Sequence, residues 1–118
     1  MRIGELSRRS GASIRSLRYY EQQHLLHPER LPSGYRVYSD ADVVRVQRIQ
    51  ALLEAGLSTV KIERILPCMM QHREGLRLSC ADLYEELVAE RKNLLERMAT
   101  LRASVTALSA IIDASPAG

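Results

Sequence analysis

The sequence has no Phe and no Trp, and only five of its 118 residues are Tyr. With so few aromatic side chains, the hydrophobic core has to be built from Leu, Ile, Val, Ala and Met. No segment approaches the roughly 18 consecutive apolar residues of a membrane-spanning helix, and the N-terminal residues lack the apolar stretch of a secretion signal. We therefore expect an aliphatic core in a protein that is neither secreted nor embedded in a membrane.

Cysteine is also scarce, and no set of residues suggests catalysis. The two cysteines, Cys68 and Cys80, are too few for a disulfide framework, so a reducing cytosol is the expected compartment. Neither a Ser/His/Asp set nor a glycine-rich phosphate loop is recognisable, and Glu5 and Glu21 are expected to be surface or capping carboxylates. The sequence therefore does not predict an enzyme.

Positive charge is concentrated in the first third of the chain. Residues 1–38 contain seven Arg and three Glu, whereas residues 39–118 contain ten Lys or Arg and eleven Asp or Glu. Every cation of the first segment is an arginine, whose planar guanidinium can donate two parallel hydrogen bonds to a phosphate or to the edge of a guanine. This asymmetry favours an anionic partner for the N-terminal third.

Two short helices separated by a glycine-containing turn are predicted near the N-terminus. The first spans residues 3–9, residues 10–12 form the turn, and Ser13 is a suitable N-cap for a second helix over residues 14–24. This spacing is typical of a helix-turn-helix.

The residues after the second helix predict a small β-hairpin, called here the wing. The prolines between residues 28 and 34 stop helix formation. Residues 35–38 then alternate as in a half-exposed strand, for which residues 26–30 are the expected partner. Arg36 and Tyr38 share the outward face, where they are placed to contact a DNA backbone or minor groove, and the other two residues face the opposite way.

The second helix has two chemically different faces. A polar helix face can be merely solvated, but hydrogen-bond donors of this kind also read bases and phosphates in a major groove. Because the turn, the helix and the wing occur together, DNA binding is the favoured interpretation. The apolar side comprises Ile14, Leu17, His24 and Leu25. The polar side comprises Arg15, Ser16, Tyr19 and Gln22, with Arg18 on its flank.

Two further helices are expected after the wing. Residues 39–42 have the composition of a capping box and begin a helix that runs to about Ala55, where Gly56 ends it. Ser58 caps a shorter helix that ends at Pro67.

The rest of the chain predicts a connector and one long helix. Residues 67–79 show no clean period and predict a connector with at most a turn of helix. From residue 81 to about residue 113 there is no Gly or Pro, which predicts a helix roughly 50 Å long. Apolar residues recur along it at the a and d positions of four heptads, interrupted only by Arg91. Because no other element is left to cover this helix, pairing with a second chain is favoured over burial within one chain. The seam comprises Tyr84, Leu87, Leu94, Met98, Leu101, Val105, Leu108 and Ile112.

Several of these motifs together resemble the MerR family of bacterial transcription regulators. Order and spacing agree throughout residues 1–66. The stretches that carry the resemblance are residues 3–7 (IGELS), 11–13 (GAS), 17–21 (LRYYE), 25–30 (LLHPER) and 34–38 (GYRVY).

The resemblance implies a mainly α fold with four parts. These are a winged helix-turn-helix over residues 1–66, a connector over 67–80, an antiparallel coiled-coil dimerisation helix over 81–113 and a tail over 114–118. It implies a cytoplasmic, nucleoid-associated homodimer on a palindromic promoter operator. Members distort the overlong promoter spacer so that RNA polymerase engages both promoter elements, a form of indirect readout. By the match of motifs, the expected DNA contacts are Arg18, Tyr19, Arg36 and Tyr38, and Tyr20 is expected to pack between the helix and the core. The polar side of the second helix adds Arg15 and Ser16 to the expected contacts, and Ser13 is included with them.

The signal to which such a regulator would respond is open between a metal ion, a redox change and a small molecule, and the cysteines bear on the first two. Metal-sensing members of the family place one cysteine at the start of the long helix and two more in a later loop, and only Cys80 has a counterpart here. Cys68, His72 and Cys80 can supply ligands for a thiophilic metal ion, or the thiols can respond to oxidation or alkylation. Alternatively, both cysteines are small buried hydrophobes.

Two functions of other classes also fit the residues. An architectural or excisionase-like protein would use the same winged domain to bend DNA without an effector. A structural coiled-coil adaptor would use only the long helix and leaves the arginine-rich second helix unexplained. The sites of DNA binding separate a regulator from an architectural protein, because a regulator occupies a promoter spacer and an architectural protein occupies scattered sites.

Overall fold

The computed structural model describes residues 1–72 and 75–117. It divides the chain into two compact units, Met1–Ser79 and Cys80–Gly118, which are described separately below. Both are built mainly from helices, which confirms the predicted fold class.

The described residues of the first unit form four α-helices and two small pairs of antiparallel strands. The helices are α1 (Ile3–Ser10), α2 (Ile14–Gln22), α3 (Asp40–Glu54) and α4 (Thr59–Ile65), followed by a 3₁₀ turn over Leu66–Cys68. The wing consists of β1 (Glu29–Arg30) and β2 (Arg36–Val37), and a second hairpin consists of β3 (Met69–His72) and β4 (Gly75–Leu78).

The core of this unit is aliphatic, as the scarcity of aromatic residues predicted. Its largest fully buried side chains come from α1, α2, α3, α4 and the segment after α2. They interlock these elements, because burial of such side chains removes apolar surface from water. They are Leu6, Leu17, Leu25, Leu26, Val46, Ile49, Ile62 and Ile65.

Both ends of α2 are fixed by local hydrogen bonds. Ser13 is the N-cap, and its hydroxyl accepts from the Ser16 amide at 3.0 Å, as predicted. At the other end His24 takes the left-handed conformation with φ 61°, and the Leu25 amide donates to the Tyr20 carbonyl at 2.9 Å. This Schellman arrangement ends the helix two residues before the predicted limit and leaves His24 exposed, so its predicted place on the apolar side is wrong.

Long-range side-chain contacts then hold the end of α2 against the rest of the unit. Arg45 of α3 donates from Nε to the Leu25 carbonyl at 2.5 Å. Thr59, the first residue of α4, contacts Gln23 through a hydrogen bond of 3.1 Å between Oγ1 and Oε1. The position of α2 is therefore set by α3 and α4 as well as by the helix-turn-helix itself.

The predicted boundaries of α3 are confirmed. The Asp42 carboxylate accepts from the Ser39 amide at 2.8 Å, which is one half of the predicted capping box. Gly56 adopts φ 87° beyond the helix, and the Leu57 amide donates to the Leu52 carbonyl at 3.2 Å.

Most of the connector forms the antiparallel strands β3 and β4, which the sequence did not predict, and the expected turn of helix corresponds to the 3₁₀ turn over Leu66–Cys68. Met69 pairs with Leu78 and Met70 with Arg77 in antiparallel register. Beyond that register, Ser79 donates from both its amide and its hydroxyl to the Cys68 carbonyl, each at 2.8 Å. With only four residues in each strand, the alternation is too short for a periodic pattern to stand out in the sequence.

The second unit is the predicted long helix. It is α5 (Ala81–Ala114), 34 residues with Cys80 as N-cap, which matches the predicted span to within one residue at its C-terminal end. Most of its apolar side chains are more than half exposed, from Met98 at 52% to Ile112 at 68%. Within the described residues, no helix is long and apolar enough to cross a membrane.

Candidate nucleic-acid interface

The exposed face of α2 carries the side chains that the sequence analysis placed on the polar side of this helix. Arg15 and Arg18 are exposed and Tyr19 is 47% exposed, whereas Leu17 and Tyr20 are buried. Burial of one face anchors the helix, and the opposite face presents two guanidinium groups and a phenol to solvent. This is the chemistry that hydrogen-bonds to base edges and phosphates.

Two predicted DNA contacts on this helix have structural roles as well. The hydroxyl of Ser13 accepts from the Ser16 amide and donates to the Ser16 hydroxyl at 2.9 Å. The pair therefore begins the helix at its N-terminus, where backbone N–H groups are left without intrahelical partners. Ser13 is exposed and Ser16 is half-buried.

An ion pair connects the wing to α2. Nε of Arg36 donates to Oε1 of Glu21 at 2.9 Å, and the pKa of Arg36 is raised by this hydrogen bond and by the charge of the carboxylate. The Arg36 side chain is 44% exposed and the Glu21 side chain 22%. The guanidinium therefore reaches solvent while one edge is held by the helix.

A cleft of about 620 Å³ lies between α2 and the wing. Three arginines from three different parts of the chain line it: Arg2 before α1, Arg18 of α2 and Arg36 of β2. The guanidinium carbon of Arg2 lies 4.6 Å from the centre of the Tyr35 ring, a cation–π distance. The cleft is thus a concave cationic surface that can receive a phosphate backbone.

Arg2 and Tyr35 were not among the predicted site residues. Arg2 belongs to the N-terminal excess of arginine, which was the only signal for it in the sequence. Tyr35 was expected to face inward, yet it is 57% exposed and carries the guanidinium of Arg2 on its ring.

Tyr38 does not lie on the outward face of the wing, and the prediction that it does is wrong. It is 2% exposed, and burial raises the pKa of its phenol. Strand β2 ends at Val37, and Tyr38 instead exchanges backbone hydrogen bonds with Met1, whose carbonyl accepts at 2.7 Å and whose amino group donates at 2.6 Å. The alternation of the strand is broken at that point, which turns the ring into the core.

The seam residues of α5 differ in exposure along the helix. Leu87 and Leu94 are half-buried, whereas Tyr84 and the later members are more than half exposed. The exposed later members are Met98, Leu101, Val105, Leu108 and Ile112.

The cysteines are oxidised in the structure. Both Cys68 and Cys80 are disulfide-bonded, and Cys68 is buried. In this form neither sulfur is the thiolate that a soft metal ion requires. The part of the chain that the structure describes contains no group of three or more His, Cys, Asp or Glu able to hold a metal ion. His72 ends β3, and its side chain lies outside the described part.

Comparison with known proteins identifies the family. Residues 1–67 match the model of the MerR HTH family regulatory proteins, which is more than half of the chain. The chain belongs to the MerR family. This family consists of DNA-binding transcription regulators, which agrees with the cationic face of α2. It also agrees with the sequence analysis, which predicted a regulator and not an enzyme.

Relatives and solved structures resemble this MerR-family chain along nearly its whole length. Nodulation protein NolA of Bradyrhizobium elkanii is 32% identical over 96% of the chain, which spans 54% of NolA. The lead(II) complex of PbrR691 from Ralstonia metallidurans CH34 superposes with a TM-score of 0.80 at 24% identity, covering all of this chain and 89% of that one. MtaN, the N-terminus of the Bacillus subtilis multidrug transporter activator, gives 0.70 at 25% identity, covering 95% and 97%.

Proposed function

We propose that this MerR-family regulator binds a palindromic operator within a promoter spacer as a homodimer and distorts the DNA to control transcription. The observation that carries the proposal is the convergence of Arg18 on α2 and Arg36 on the wing at one cationic cleft. Two elements that face a single ligand are what a winged helix-turn-helix needs to grip a duplex.

The roles of the individual residues follow from their positions. Arg15, Arg18 and Tyr19 lie on the exposed face of α2 and would enter the major groove, where guanidinium groups pair with guanine edges or phosphates. Arg36 would contact the phosphate backbone beside the groove, and Ser13 and Ser16 would contact it at the start of α2. Because these contacts are largely ionic, binding would weaken steeply with salt.

Dimerisation is supported by the exposed apolar seam of α5. A stripe of apolar side chains along 34 residues is rarely left open to water, and a second copy of the same helix is complementary to it in length and spacing. We propose an antiparallel coiled coil, by analogy with the family. A twofold dimer explains why the operator would be palindromic, since each half-site then receives one recognition helix.

DNA distortion and the engagement of RNA polymerase are the mechanism we propose for transcriptional control. Two heads fixed at a set separation act on a spacer that is too long for polymerase, so bending and untwisting it brings the promoter elements into register. Such a protein acts where promoters are found, in the cytoplasm at the nucleoid.

The signal is proposed to be thiol–disulfide exchange. The oxidised state of Cys68 and Cys80 supports it over a metal ion, although PbrR691, to which the chain is similar, was solved with lead(II). Reduction by a cellular thiol takes two electrons and two protons and breaks the S–S bond to give two thiols, while the reductant becomes a disulfide. The change would act on the segment of Cys68–Ser79, which the hairpin β3–β4 spans.

Sequencing of the DNA that copurifies with the protein from its own cells tests the function. We expect enrichment of one or a few palindromic sites between promoter elements, confirmed by a footprint on the purified promoter. Enrichment of many unrelated sites would instead support an architectural DNA-bending protein, the second candidate. Recovery of no DNA would contradict both.

A further inference from the structure

Glu21 is the carboxylate of a surface that otherwise carries arginine. It lines the cleft between α2 and the wing together with Arg2, Arg18 and Arg36. A carboxylate beside a DNA backbone is repelled by the phosphates, so its charge alone would weaken binding. Its presence at the cleft therefore calls for a compensating role.

The position of Glu21 within α2 is also unfavourable for a negative charge. It lies in the last turn of the helix, where the macrodipole favours cations, and that turn contains no basic residue. The cation that offsets both effects comes from the wing, because Arg36 donates from Nε to Oε1 at 2.9 Å.

This contact uses only one edge of the guanidinium. A guanidinium has five N–H donors, of which Nε carries one and the two terminal nitrogens carry four. In the described part of the chain Glu21 provides the one side-chain hydrogen bond to Arg36. The terminal nitrogens are therefore left to face a ligand while the planar group is held in a fixed orientation.

The wing itself is too small to fix the direction of Arg36. Its two strands share only two residue pairs, Glu29 with Val37 and Arg30 with Arg36. Two-stranded hairpins of this kind are marginal on their own. The ring of Tyr38 is buried, and besides this burial the charges of Glu21 and Arg36 both affect the pKa of its phenol, so the ion pair lies near a residue fixed in the core.

We propose that Glu21 is a positioning residue for DNA binding: its carboxylate holds Nε of Arg36 and thereby sets the reach from the recognition helix to the phosphate that the wing contacts. The inference rests on the proposed DNA-binding function. According to this inference, a negatively charged residue increases the affinity for DNA, whereas its charge alone would decrease it.

The test compares operator affinity of Glu21→Ala with that of Glu5→Ala, an exposed carboxylate of α1 whose loss changes the net charge equally. We expect Glu21→Ala to weaken binding about tenfold despite the lost negative charge, and Glu5→Ala to bind as tightly as wild type or slightly more tightly. Glu21→Gln keeps an oxygen that can accept from Nε, so its loss should be smaller. Thermal unfolding without DNA shows that each variant is folded.

A double-mutant cycle with Arg36→Ala makes the result specific. In that background Glu21→Ala should no longer weaken binding, because the group that it positions is gone.

Glu21→Ala binding as tightly as wild type, or weakening binding equally in both backgrounds, would overturn the positioning role. If Arg18→Ala is weak but Arg36→Ala binds like wild type, the DNA-binding function stands and the role of Glu21 fails. Should Glu21→Ala not fold, the same cycle with Glu21→Met decides, because this variant keeps the aliphatic stem and removes the acceptor, and an unchanged affinity in both backgrounds would equally overturn the role.

Discussion

At the scale of single residues, the proposed DNA-binding face is formed by cations that converge from separate parts of the sequence. Arg2, Arg18 and Arg36 are brought to one cleft although up to 34 positions separate them in the chain. Each of these arginines would contact DNA from a different element. We therefore expect their replacements to affect DNA binding in different ways. A helix arginine in the groove contributes to sequence preference, whereas a wing arginine on a phosphate contributes mainly to general affinity.

Replacement of Arg18 by alanine tests the helix contribution. We expect Arg18→Ala to cost on the order of 1–3 kcal/mol of operator binding with the fold intact, because the exposed side chain packs no core. Arg36→Ala should also weaken binding and should lower the dependence of affinity on salt by about one ion. Fluorescence anisotropy over a salt series measures both quantities. Arg102→Ala, an exposed arginine of α5, is the control, and wild-type affinity in both cleft variants would show that the face is wrongly assigned.

The left-handed backbone conformation of His24 leads us to expect that a glycine at this position stabilises the protein. A non-glycine residue in the left-handed region is strained, and only the Schellman turn at the end of α2 requires φ 61° there. His24→Gly should raise the free energy of unfolding by about 0.5–1 kcal/mol after the greater entropy of glycine in the unfolded chain is counted. Denaturant melts measure it, and His27→Gly nearby is the control, which should not stabilise. A loss of stability in His24→Gly would mean that the imidazole makes a contact that outweighs the strain.

Tyr38 predicts both a pH dependence and a lack of contact with DNA. Its folded-state pKa is raised above the ordinary value of 10.0 by burial, so its contribution to stability is present below pH 10 and is lost as the pH rises through the folded pKa. Tyr38→Phe should flatten this alkaline loss. It should also leave stability at pH 7 equal or slightly higher, since the buried hydroxyl has no hydrogen-bond partner among the described residues. Operator binding should be unchanged, and a marked loss of affinity would return Tyr38 to the list of DNA contacts.

At the scale of elements, the helices and strands with clear caps or long apolar periodicity were predicted well, and those without them were not. Helix α3, with its capping box, and helix α5, with its long apolar stripe, were placed to within a residue or two. The hairpin β3–β4 was missed because its strands are four residues long and alternate only briefly between buried Met69 and exposed Met70. Tyr38 was misplaced for a related reason, since period-two alternation holds only while the strand continues.

The seam of α5 carries the prediction for dimerisation. Leu94→Ala combined with Leu101→Ala removes two apolar side chains at d positions, each worth about 2–5 kcal/mol when buried, and a twofold dimer loses each of them twice. We expect a monomer at micromolar concentration that no longer binds its operator. Light scattering measures the mass, and Thr100→Ala on the same helix, outside the a and d positions, should leave a dimer. A dimer that persists in the double variant would place the interface elsewhere.

At the scale of the whole molecule, the proposed thiol–disulfide signal would have to be converted into a change at the DNA. Cys80 stands at the N-cap of α5. Cys68 lies at the other end of the segment that the hairpin β3–β4 occupies. The two cysteines thus bracket the segment that joins the DNA-binding helices to the long helix along the chain.

Transcription from the cognate promoter tests this signal. Because both cysteines are disulfide-bonded, we expect wild type to respond to the thiol oxidant diamide and to dithiothreitol, and Cys80→Ser to lose both responses. Cys68→Ser should behave in the same way, and Ser79→Ala is a control that leaves the thiols in place. A response of Cys80→Ser like that of wild type to diamide, copper, zinc and mercury would make the cysteine structural. A response of wild type to a metal alone would replace oxidation by metal binding as the signal.

Sequence patterns were enough to predict the class of the protein and most of its elements. Caps, glycine turns and apolar periods act over a few neighbouring residues, so they can be read without knowing the fold, and so can the motif order over residues 1–66 and the arginine-rich helix face of α2. Only the tertiary structure shows that Arg2, Tyr35 and Arg36 lie at one cleft and that Glu21 pairs with the wing. It also decided the burial of Tyr38 against Met1. These contacts join residues far apart in sequence, and their energies depend on distance and burial in space, which no local pattern records.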